Sequence, residues 1–81
     1  RKVNDSGLRQ LEKGFKRLKL SYIPSHANFI AVKFSNAMKV YNSLLKEGVI
    51  VRPVEMDNFL RISIGTTEEN NCLLRALEKI L

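Results

Sequence analysis

Eighty-one residues bound the chain to one domain with a modest core, because a chain this short buries only about 60% of the surface it exposes when unfolded. Hydrophobic residues make up 44%, Trp is absent, and no apolar run is long enough to span a bilayer or serve as a signal peptide, which points to a soluble, cytoplasmic chain. The net charge of +6 is concentrated at one end: residues 1–19 carry seven Lys/Arg against Asp5 and Glu12, a net of +5, which leaves +1 for the rest.

Leu8, Leu11, Phe15 and Leu18 recur at helical spacing behind the capping candidates Asn4, Asp5 and Ser6, with Arg9, Lys13, Lys16 and Arg17 on the opposite side. This predicts an amphipathic first helix with a cationic outer face. The chain begins at Arg1, without Met, and runs directly into this pattern, so the expectation is a piece of a longer polypeptide. Tyr22-Ile23-Pro24 is expected to be extended, since the residue before a proline avoids the helical region, and the β-formers of residues 28–34 predict the first strand. Ser35 and Asn36 can cap a helix that turns Ala37, Val40, Tyr41, Leu44 and Leu45 inward, and Gly48 stands where a C-terminal glycine belongs. A strand over 49–54, a turn at 55–58 and a strand over 60–65 follow. Thr66 and Glu69 then stand at capping-box spacing before a last helix that buries Leu73, Leu74, Leu77, Ile80 and Leu81. Cys72 lies in that helical pattern, cannot form an internal disulfide, and is read as a buried structural thiol.

The order helix-strand-helix-strand-strand-helix, with no linker or repeat, predicts a small two-layer α+β domain over 1–81. A right-handed strand–helix–strand crossover makes 28–34 and 49–54 parallel. The short turn makes 60–65 antiparallel to 49–54, placing it in the middle of a split βαβ sheet covered by helices on one face. Within that hairpin, pairing Val54 with Phe59 sets Arg52 directly opposite Arg61 on the face away from the helices. Two opposed guanidiniums repel by a few tenths to about 1 kcal/mol, and an anion bridging them removes the penalty. Arginines lying flat on a solvated sheet face are the competing reading.

Three ordered blocks, PSHANFIAVKF, LLKEGVIVRPV and NFLRISIGTTEENNCLLRALEKIL, resemble the C-terminal small domain of the histidinol-phosphate aminotransferases, and the similarity runs from Leu8 to Leu81. The resemblance implies fold type I of the pyridoxal-phosphate enzymes. In these a large domain of the same chain holds pyridoxal 5'-phosphate, and the small domain closes one side of the substrate cleft. It also implies a homodimer for the full-length protein and a phosphorylated or dicarboxylic amino-acid substrate. In the family, the arginine matching Arg61 meets the phosphate of histidinol phosphate or the α-carboxylate of glutamate, with that matching Arg52 as its partner. The eight residues Pro53 to Leu60 form a shorter connection than many members have.

Catalytic residues, cofactor ligands and metal ligands are expected to be absent from this piece, which alone should be inactive. Transamination needs a Schiff-base amine, an acidic partner for the pyridinium nitrogen and a cofactor phosphate cradle. Lys33 is read as a solvent-facing strand residue, and His26 as a loop residue lacking the partners for a zinc site or triad. Gly65-Thr66-Thr67 is read as a helix cap rather than an anion nest. The alternatives are a basic α+β nucleic-acid-binding module, which needs aromatics on the central strand where LRISIG has none, and a regulatory or oligomerising domain. Neither nucleic acid nor membrane is expected as a partner.

Overall fold

The computed structural model describes residues 5–24 and 28–81. His26 and the capping candidate Asn4 lie outside the described residues. Helix α1 (Asp5–Arg17) leads to strands β1 (Tyr22–Pro24) and β2 (Phe29–Lys33), helix α2 (Ala37–Lys46), strands β3 (Arg52–Pro53) and β4 (Phe59–Ser63), and helix α3 (Thr67–Ile80). The sheet order is β1-β2-β4-β3 with every neighbouring pair antiparallel. β2 and β3 are therefore parallel to each other with β4 between them, the split βαβ arrangement that the crossover rule predicts.

The sheet departs from expectation in two ways. Tyr22–Pro24 is a fourth strand, an edge strand in which Pro24 can sit without interrupting an interior ladder. The hairpin strands are shorter than 49–54 and 60–65, because the flanking backbone groups bond elsewhere. Val49 N–H donates to Leu44 C=O, Pro53 has no N–H, and Gly65 N–H donates to the Asn70 side chain.

Period-2 burial sorts the sheet into two faces. Ile30, Val32, Leu60 and Ile62 are buried against Leu11 and Phe15 of α1, Val40 and Leu44 of α2, and Leu73, Leu74 and Leu77 of α3. All three helices bury into this one core. The other face carries a row across the four strands, Ile23–Ala31–Arg61–Arg52, with Phe29 and Ser63 paired on one side of it and Lys33 and Phe59 on the other.

The helix ends follow the sequence signals. Asn36 caps α2 by accepting from Lys39 N–H at 3.1 Å. At its other end Gly48, with φ +80°, closes a Schellman turn in which Gly48 N–H donates to Leu45 C=O and Val49 N–H to Leu44 C=O. Thr66 and Glu69 form the reciprocal capping box at α3, with distances of 3.1 and 2.8 Å.

Three side chains expected inside are outside. Cys72 is exposed, since it lies on the side of α3 away from the buried stripe of Asn70, Leu73, Leu74 and Leu77. Leu45 stands about 100° around α2 from the buried Leu44, and Leu81 lies beyond the last full turn of α3; they are 41% and 56% exposed.

Candidate anion-binding site

The open face of the sheet, opposite the helices, holds the two arginines. Arg52 and Arg61 are direct cross-strand partners, the register expected from the hairpin loop. Direct partners on one face of an antiparallel pair have Cβ atoms about 5 Å apart, so two guanidiniums there share one anion-sized space. Lys33, exposed at the end of β2 on the same face, adds a third cation.

Neither arginine side chain makes an ion pair or hydrogen bond among the described residues. The ion pairs there are Arg17–Glu78 at 2.8 Å and Lys79–Glu47 at 3.1 Å, both remote from this face. The two positions nevertheless differ. Arg52 is exposed, whereas Arg61 is half-buried with its Cζ lying 4.9 Å from the centroid of the Phe29 ring. Arg61 Nε is covered by the protein and has no hydrogen-bond partner. The two terminal amino groups of Arg61 and the whole fork of Arg52 are thus the donors available to a ligand. Paired forks of this kind match a carboxylate or phosphate with charge-assisted, bidentate hydrogen bonds.

Phe29 is the member of this face that sequence reasoning missed. Its signal was available: Phe29 is two residues from Ala31, the partner of Arg61, so the register itself puts Phe29 diagonal to Arg61 on one face. Phe59 is the first residue of β4, so the central strand does display an aromatic on the open face. The Gly65-Thr66-Thr67 segment is a cap, as read, with the Gly65 amide taken up by Asn70 and the Thr66 amide by Glu69.

Lys33, the lysine within a strand, is exposed on the rim of the arginine face and has no carboxylate partner among the described residues. Among the described residues no cluster of His, Cys, Asp and Glu could hold a metal, and no helix is long and apolar enough to cross a membrane.

The fold is an antiparallel split sheet backed by three helices with a cationic open face, and comparison with known proteins fixes its family. The family model for aminotransferase class I and II matches residues 5–77, and the chain belongs to that family. Histidinol-phosphate aminotransferase 2 of Pseudomonas aeruginosa is 58% identical over the whole of this chain, which corresponds to 23% of that protein. The histidinol-phosphate aminotransferase of Methylobacillus flagellatus is 50% identical over 98% of this chain and 22% of its own length. The crystal structure of the histidinol-phosphate aminotransferase from Clostridium acetobutylicum superposes with a TM-score of 0.82 at 26% identity, covering 93% of this chain and 25% of that one. The chain thus spans less than a quarter of the length of these curated relatives.

Proposed function

We propose that this chain is the substrate-gripping C-terminal domain of a histidinol-phosphate aminotransferase, which exchanges an amino group between histidinol phosphate and 2-oxoglutarate. The carrying observation is the Arg52–Arg61 pair, opposed on a face without helices and without an internal carboxylate partner. Left alone, that pairing is repulsive; with a dianionic phosphate or a carboxylate between the forks it becomes attractive. The name shared by relatives at 58% and 50% identity supports this substrate.

In this reading pyridoxal 5'-phosphate belongs to a large domain of the same polypeptide, where it supplies the electron sink for transamination. The present residues contribute binding and orientation. Arg61, held against Phe29, fixes one anionic end of the substrate, and Arg52 closes on it from the neighbouring strand. The full-length protein is then a cytoplasmic homodimer of histidine biosynthesis. The nucleic-acid alternative is the weaker one, since of the two aromatics on the open face Phe29 is already engaged by Arg61, which leaves Phe59 as a single stacking platform.

Steady-state kinetics of the full-length parent carrying Arg61→Ala test the proposal. Loss of one partner of a charge pair predicts a fall in kcat/KM for histidinol phosphate equivalent to about 2–5 kcal/mol, carried mainly by KM. Arg61→Lys should recover only part of the loss, because an ammonium cannot reproduce the fork. An unchanged kcat/KM in Arg61→Ala would remove Arg61 from the site.

A further inference from the structure

We infer that Phe29 is a positioning residue for substrate binding: its ring holds the Arg61 guanidinium in the orientation that receives the substrate anion. This rests on the reading of Arg61 as a substrate contact and adds a residue to it.

The register makes Phe29 and Arg61 diagonal neighbours, Phe29 pairing with Ser63 and Arg61 with Ala31. At 4.9 Å from ring centroid to Cζ, the cation lies over the negative face of the aromatic quadrupole. A guanidinium resting on a ring keeps its in-plane N–H groups at its edge, so the interaction with Phe29 leaves the donor fork unobstructed. With Nε covered and unpartnered, the exposed edge is the one bearing the two terminal amino groups. It is this edge that meets a carboxylate or phosphate end-on.

Holding the fork in place before the ligand arrives reduces the ordering that binding must impose on a long, flexible side chain. Arg52, exposed and without a ring beneath it, has no such constraint and adjusts to whichever anion is bound. The roles divide into a fixed fork and a movable one. A change at Phe29 should therefore appear in KM and leave the chemical step alone.

The test uses the full-length parent with Phe29→Leu, Phe29→Met and Phe29→Tyr, each alone and with Arg61→Ala, and kinetics with histidinol phosphate. The two aliphatic variants keep apolar volume but remove the quadrupole. They should raise KM on the order of tenfold with kcat within about twofold, and Phe29→Tyr should restore KM to near its original value. In the Arg61→Ala background the aliphatic changes should add nothing, since there is no guanidinium left to hold. Aliphatic variants that fold and keep KM, while Arg61→Ala loses it, would overturn the inference. So would an equal KM penalty with and without Arg61, which would mean that Phe29 acts by packing alone. If Arg61→Ala is itself silent, the substrate-site reading falls, and this inference with it.

Discussion

Lys19 is a non-glycine residue with φ +60°, in the left-handed region that costs a side-chain-bearing residue about 1 kcal/mol or more. It ends α1 as Gly48 ends α2: Lys19 N–H donates to Lys16 C=O and Leu20 N–H to Phe15 C=O, the same two Schellman bonds. Lys19→Gly should therefore stabilise the chain by about 0.5–1 kcal/mol after the extra unfolded-state entropy of glycine is subtracted, read as a higher urea midpoint at unchanged slope. Asn58, with φ +62°, is a different case. Its side chain accepts from Ala37 N–H at 3.1 Å and its C=O accepts from Phe34 N–H, so glycine there would lose a contact. Gly48 and the Thr66/Glu69 box were legible in the sequence because their residue types carry the conformation. Lys19 was not, because lysine has no preference for that backbone. Arg52 and Arg61 were legible because strand period and loop length fix a register, whereas Phe29 required tracing that register onto a second strand.

Between the elements, the junction of α1 with α3 is the contact that sequence periodicity described least well. Gly14 lets the helices approach closely: a Cβ there would stand 2.5 Å from Leu74 Cδ2. Beside it Asn70, only 2% exposed, is a polar residue on the buried stripe of Leu73, Leu74 and Leu77. Its Oδ1 accepts from Gly65 N–H at 3.0 Å, and its Nδ2 donates to Gln10 Oε1 at 3.0 Å and to Gly65 C=O at 3.3 Å. One amide thus ties the end of β4 to both helices, and Gln10 continues the network to Thr67 C=O and Asn71. Asn70→Ala should cost about 1–3 kcal/mol, since it leaves the part-buried Gly65 amide without its partner, and Gln10→Ala, at a more exposed position, about 1 kcal/mol. A double-mutant cycle by urea unfolding should show the two losses to be less than additive; strict additivity would mean that the network does not couple the helices. The spacing of Asn70 from Leu73 and Leu77 marks it as inward-facing. What the sequence could not supply was the identity of its partners, because Gln10 lies sixty residues away.

At the scale of the molecule, the right-handed crossover was enough to place β4 between β2 and β3, while the edge strand β1 was hidden by its three-residue length and its proline. The resulting sheet is covered by helices on one face, and the other leaves Ile23, in the same row as Arg52 and Arg61, 50% exposed. Exposed apolar surface on this face favours self-association of the 81-residue chain, while Arg52, Arg61 and Lys33 on the same face oppose it. The two effects respond oppositely to salt. Raising ionic strength shortens the screening length, from about 10 Å at 0.1 M to about 3 Å at 1 M, and weakens the repulsion without weakening apolar contact. The weight-average mass in sedimentation equilibrium should therefore rise with protein concentration and rise further with added NaCl. Ile23→Lys should return the chain to monomer at all salt concentrations. A mass that falls with salt would assign the association to charge, and a strict monomer at millimolar concentration would mean that the open face does not drive contact at all.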